Sequence, residues 1–290
     1  MTAAAKLVGG IKRIRMPKTI LYIFMLMLVA FTMLPLVYMI VSAFKPLDEL
    51  FVYPPRFYVS RPTFSNFTQF FKAVDTASVP FSRNIFNSLF ASAAAVLGTV
   101  LAGSAGAFAL SKLRLPGSKF IFAVIISALM FSPHVTQIPT YMIINNLHMI
   151  DTYFALILPK IAGAYSLFLI KQFCDQIPDT LLEVATIDGA DNFTIYSKII
   201  MPLLKPALAT VVVQSFIANW NDYFSPLIFI SKQAMKPLTL SLQLIGSGGS
   251  IARTGAMAAA TLITTLPTII IFVIMQSKVT ETMAHSGIKG

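Results

Sequence analysis

Six predominantly apolar runs, each longer than 20 residues, dominate the chain: 20–44, 85–110, 120–144, 153–173, 207–230 and 255–276. A bilayer core offers no hydrogen-bond partners, so a spanning segment must satisfy its own backbone. An α-helix needs about 20 apolar residues to do this across ~30 Å of hydrocarbon. The runs predict an all-α polytopic membrane protein with six transmembrane helices. Composition agrees: 56% of the 290 residues are hydrophobic and 11% charged, against about 25% charged in ordinary soluble domains. Mean hydropathy is +0.77. A soluble enzyme of this length could not cover so much apolar surface with so few charges.

Charge placement sets the expected orientation. The net charge is +11, but the basic residues flank apolar runs instead of forming a stripe. That argues against nucleic acid as a partner and fits the excess carried by cytoplasmic membrane loops. Lys6, Lys12, Arg13, Arg15 and Lys18 precede the first run, and Lys112, Arg114 and Lys119 separate the second from the third. The loop 145–152 holds no basic residue. The expected layout is a basic cytoplasmic N-terminus (1–19), a six-helix domain (20–276) and a cytoplasmic tail (277–290). Within the domain, segments 45–84 and 231–254 are external and loop 174–206 is cytoplasmic, with both termini inside a bacterial-type cytoplasmic membrane. The first run is too long for a signal sequence and lacks a small-x-small cleavage site, so it reads as an uncleaved anchor. Lys160, near the start of the fourth run, is expected to snorkel towards the interface.

Ala94, Gly98, Ala102 and Gly106 recur every four residues in the second run, with Ala91, Ala95, Thr99, Gly103 and Ala107 on the adjoining face. Small side chains let membrane helices approach closely, which points to a packing face.

The loop 174–206 is far longer than a link between antiparallel helices needs. It holds five of the chain's eleven acidic residues, Asp175, Asp179, Glu183, Asp188 and Asp191. Pro178 and Asp179 open a helix, with Thr180 and Glu183 at capping-box spacing. Gly189 falls at the C′ position, and Asp191 caps a second helix running to Ile200, which Pro202 and Pro206 stop. Two short helices joined at a glycine bend, carrying apolar side chains and acidic charge, fit a protein partner better than an anionic lipid surface.

At these residues the chain resembles a known family. Glu183-Val-Ala185-x-x-x-Gly189, nine residues, then Ile199-x-Met201-Pro202 is similar to the EAA loop of permease subunits in binding-protein-dependent ABC importers. Val184 and Met201 replace the pattern's Ala and Leu. The runs 186–191 and 220–228 resemble the carbohydrate-importing branch. Gly287-Ile288-Lys289-Gly290 resembles the ending of maltose-type second permeases, one residue shorter, while 277–286 departs from it. The resemblance spans roughly residues 15–290. It implies the type I ABC importer permease fold, with Glu183, Ala185, Asp188, Gly189, Ile199 and Pro202 forming the ATPase-coupling element and Gly287, Lys289 and Gly290 a tail contact. The implied partners are a second homologous permease in a heterodimer, a cytoplasmic ATPase dimer, an extracytoplasmic sugar-binding protein, a carbohydrate substrate and membrane lipid.

Polar groups at membrane depth face protein or water. Asn219, Trp220, Asn221, Asp222 and Tyr223 cluster in the fifth run, Asp222 about 22 Å along it. They line a translocation path, or else serve as interhelical hydrogen bonds with an interfacial aromatic. In the third run Pro133 and Pro139 predict a kink or break near His134.

No catalytic motif is present. A phosphate loop is absent, since Gly98–Gly103 is followed by Ser104-Ala105. The histidines 134, 148 and 285 lack ligand spacing, and the lone Cys174 makes no metal cage, so neither metal nor cofactor is expected on this chain. ATP and Mg would sit on the ATPase partner. The rivals are an ABC permease for another solute class, a secondary transporter, which needs a set of intramembrane carboxylates or arginines for ion coupling where the chain offers only Asp222 and Lys160, and a membrane hydrolase, whose paired residues are missing.

Overall fold

The computed structural model describes residues 18–75, 79–113, 115–246 and 254–287, and all regular structure among them is helical. The chain opens with α1 (Lys18–Phe44), followed by α2 (Leu47–Leu50), α3 (Ser65–Asp75) and the 32-residue α4 (Phe81–Lys112). Next come α5 (Ser118–Ala128), α6 (Pro133–Asn146), α7 (Tyr153–Ile161) and α8 (Ala164–Asp175). A hairpin is built from α9 (Asp179–Ile187), α10 (Asn192–Thr194), a π-turn (Ile195–Ile200) and α11 (Met201–Leu203). The chain ends with α12 (Lys205–Trp220), α13 (Phe224–Phe229), α14 (Leu238–Gly246) and α15 (Thr254–Gly287).

Among the described residues four stretches are long and apolar enough to cross a membrane, α1, α4, Tyr153–Asp175 and Thr254–Ser277, and up to six if the bent pairs α5–α6 and Asn192–Leu203 with α12 each count as one span. The third expected span is broken. Helices α5 and α6 meet at 109°, because Pro133 has no N–H to continue α5 and holds Ser132 in an extended conformation (ψ 137°). The fifth is shorter than expected over 207–230. Helix α12 stops at Trp220, and α13 begins only at Phe224. Here the Asp222 carboxylate takes the amides of Phe224 and Ser225 at 3.0 and 3.1 Å, starting a new helix in competition with the old one. The last helix continues past residue 276 to Gly287.

Helix α4 is the central element, and its small-residue face does what the spacing predicts. Gly98 lies directly against the Ile161 side chain, and a Cβ at Gly103 or Gly106 would stand 3.1 Å from Ile170 or 3.0 Å from Leu167. The α4 backbone therefore approaches α7 and α8 closely. At one end of the bundle Ala107, Phe108, Ile170, Cys174, Ile195, Ile200, Leu204 and Leu208 form a core joining α4, α8, the hairpin and α12. At the other end Phe70 of α3, Trp220, Leu238, Ala256 and Ala260 form a second core. Helix α1 turns most of its apolar side chains outward, as a helix surrounded by acyl chains does.

Candidate functional site

The hairpin begins with Pro178 as the residue before α9 (ψ 135°). The helix therefore starts at Asp179, two positions earlier than a Thr180–Glu183 capping box requires, and no side chain caps it. Glu183 is left exposed, with no hydrogen bond or ion pair to another described residue. Asp179 instead pairs with Lys112 at 2.7 Å.

The bend has a specific geometry. Ala190 donates its N–H to the Ala185 carbonyl at 2.9 Å, and Gly189 donates to Thr186 at 3.0 Å. With Gly189 at φ +84°, this is the 6→1, 5→2 pattern that closes a helix through a left-handed residue. Asp188 (φ −73°, ψ 3°) is the C-cap, one past the last helical residue Ile187. The four-residue spacing of Ala185 and Gly189 is thus the spacing of one C-terminal closure. A Cβ on Gly189 would meet nothing within 4 Å, so the cost of substitution there is purely conformational. Gly189→Ala is expected to cost about 1 kcal/mol and to speed hydrogen exchange of the 185–192 amides ~5-fold, with Gly189→Asn closer to wild type. Equal exchange in all three proteins would contradict this.

The second arm follows the reading closely. The Asp191 carboxylate accepts the Thr194 N–H at 3.0 Å. Hydrogen bonds from Thr194 hold the Asp191 carboxyl below its ordinary value of 3.8. The cap is therefore fully present above that value and is lost as pH falls through the lowered one. The arm runs on to Leu203, past the expected stop at Ile200, with Pro202 exposed inside it. Ile195, Ile200 and Leu204 anchor it in the bundle, with Ile199 packed beside them, and Tyr196 shares a 2.7 Å hydrogen bond with Ser104 of α4. The first arm buries nothing fully. It exposes Leu181, Val184 and Ile187, and Phe193 beyond the bend is 73% exposed. One arm is fixed in the bundle, and the other presents Leu181, Val184 and Ile187 around an exposed carboxylate.

A second site lies within the bundle. Lys160, expected to reach the interface, forms an ion pair with Asp222. The chain breaks just beyond each partner, between α7 and α8 and between α12 and α13. The groups freed by the breaks are satisfied around the pair: Thr99 donates to the Lys160 carbonyl at 3.2 Å, Asp222 caps α13, and Thr239 donates to the Asp222 carbonyl at 3.2 Å. A small cavity there is lined by Ser88, Ser92, Lys160, Asn219, Asp222 and Ser225. The sequence carried the signal for this pair, a single cation and a single carboxylate at membrane depth, each too costly to leave alone.

Of the other path candidates, Asn221 and Tyr223 line a separate cavity of about 230 Å³ with Thr239, Gln243, Thr261 and Thr265. Trp220 is packed inside, stacked on Phe216 at 5.7 Å and donating its indole N–H to the Thr264 carbonyl at 2.9 Å. It presents no free ring face there. Gly287 ends α15, while Lys289 and Gly290 lie outside the described residues, as do 1–17 and 247–253. Among the described residues no three metal-ligating side chains converge.

Comparison with known proteins places these features in a lineage. Residues 7–279 match the family described as "Binding-protein-dependent transport system inner membrane component". The chain is similar to the sn-glycerol-3-phosphate transport system permease protein UgpE of Shigella flexneri serotype 5b, at 35% identity over 70% of this chain and 73% of that protein. It is 34% identical to UgpE of Yersinia enterocolitica over the same shares. The fold is shared with a chain from the crystal structure of a bacterial ABC transporter involved in import of the acidic polysaccharide alginate, at TM-score 0.75 and 20% identity, over 96% of this chain and 98% of that one. This chain is an ABC importer permease, a multi-pass inner-membrane protein that belongs to the binding-protein-dependent transport system inner membrane component family.

Proposed function

We propose that this chain forms half of the translocation path of a carbohydrate importer and receives the work of ATP hydrolysis through the 178–203 hairpin. The observation that carries the reading is the contrast between the hairpin's arms: an anchored second arm, and a first arm offering Leu181, Val184 and Ile187 around Glu183. An ATPase dimer closing on the first arm moves the ends of α8 and α12 as one unit, a rigid-body switch between inward-open and outward-open arrangements. The second permease, the ATPase that carries ATP and Mg, and an extracytoplasmic binding protein complete the assembly.

Asn221 and Tyr223, beside the threonines of α14 and α15, supply the amide and hydroxyl groups that a polyhydroxylated solute requires. The specific rival is a phosphorylated polyol, favoured by the name of the UgpE relatives. The assembled transporter, reconstituted with its binding protein, separates the two readings. Neutral oligosaccharides are expected to raise ATP turnover by about 10-fold, as an allosteric effector does. Stimulation by sn-glycerol 3-phosphate alone would favour the rival.

A further inference from the structure

The coupling hairpin reaches α8 and α12 through the chain itself, but α4, the central helix, precedes it by more than 60 residues and has no direct covalent link to it. Lys112, in the last turn of α4, bridges that gap. Its side chain is only 4% exposed, it donates to the Ile177 carbonyl at 2.5 Å, and it pairs with Asp179, the first residue of α9, at 2.7 Å. Next to it Ser111 donates to Asp175, which also holds Lys171 at 2.7 Å, and the Lys171 ammonium stands 4.5 Å over the Phe122 ring of α5.

Packing and a hydrogen bond tie α4 to the second arm, through Phe108, Ile195 and the Ser104–Tyr196 pair, but the first arm meets that core only with the partly buried Leu182 and Ala185. A cavity of about 640 Å³ lies between the end of α4 and α9, lined by Phe108, Lys112, Leu182, Glu183, Thr186 and Ile195. Across such a gap displacement is poorly transmitted by van der Waals contact, which falls off within an ångström of separation. A buried ammonium with two fixed acceptors holds its geometry.

We propose that Lys112 is the positioning residue that carries movement of the first arm of the coupling hairpin into α4, and through it into the rest of the bundle. The inference rests on the reading of the hairpin as the ATPase contact. Because Lys112 is buried behind α9, it acts through the hairpin and not on the partner itself.

The test uses the whole transporter reconstituted in liposomes with its binding protein, comparing Lys112→Met, Lys112→Arg and the charge-swapped pair Lys112→Asp with Asp179→Lys. Lys112→Met is expected to retain the ATPase on copurification and to hydrolyse ATP, while solute imported per ATP falls about 10-fold. Lys112→Arg is expected to recover most of that ratio, and the swapped pair, which restores the ion pair but not the donor to the Ile177 carbonyl, only part of it. Unchanged import per ATP in Lys112→Met overturns the proposal, and so does loss of ATPase binding in step with import, which would make Lys112 part of docking alone. If Lys112→Met does not insert, the same ratio read on Asp179→Asn decides: a fall supports the strut, and unchanged import per ATP overturns it. Failure of the hairpin reading itself appears separately, as coupled import in Glu183→Ala.

Discussion

Glu183→Ala is expected to cut ATP-driven uptake about 100-fold while the protein inserts in normal amount. The separation of the two effects follows from where the side chain stands. Glu183 makes no hydrogen bond or ion pair within the described chain and does not cap α9, so its removal leaves the hairpin's own bonds intact. It sits among Leu181, Val184 and Ile187, the last 84% exposed. An exposed apolar patch around one carboxylate gains affinity by burial and register by charge. In the proposed contact, truncating the charge would strand a facing cation of the ATPase desolvated and unpaired. Glu183→Gln keeps the shape and is expected to fall between wild type and alanine. Uptake and membrane abundance, measured together, check this. Wild-type uptake in Glu183→Ala, or loss of protein from the membrane, would remove the carboxylate from the coupling contact.

The second large effect belongs to Lys160 and Asp222. Breaking a poorly solvated ion pair by removing one partner strands the other charge, at a cost of about 3 kcal/mol. Lys160→Met and Asp222→Asn are each expected to lower the Tm of the detergent-solubilised protein by about 5–10 °C. The double variant is expected to lie closer to wild type than either single one. No charge is then left without a partner, and the amide oxygen that replaces the carboxylate still caps α13. Thermal unfolding of the four proteins forms a double-mutant cycle. Additive losses would mean that the two side chains stabilise the protein independently.

The apolar runs were enough to pick out α1, α4, Tyr153–Asp175 and Thr254–Ser277, because length and hydropathy alone mark a continuous apolar helix. They could not place the breaks. Asp222 reads as one polar residue in a long run, and only the fold shows its carboxylate starting α13 while Lys160 neutralises it. The hairpin was legible because its geometry is local: Gly189 and Asp191 act within five residues of themselves. The capping box was the exception, lost to a two-residue shift in the start of α9, where Pro178 stands in the N-cap place. The roles of Lys112 and Trp220 depend on partners 67 and 44 residues away, beyond the reach of any local pattern.

The central claim is that the first arm of the hairpin faces an ATPase on the cytoplasmic side. Val184→Cys reports on it most directly, since residue 184 is 58% exposed and the native Cys174 is buried. In sealed, correctly oriented membranes this cysteine is predicted to resist an impermeant thiol reagent added outside and to cross-link to the ATPase subunit. Labelling from outside, or a transporter that imports solute with no ATPase cross-linked at that position, would contradict the account.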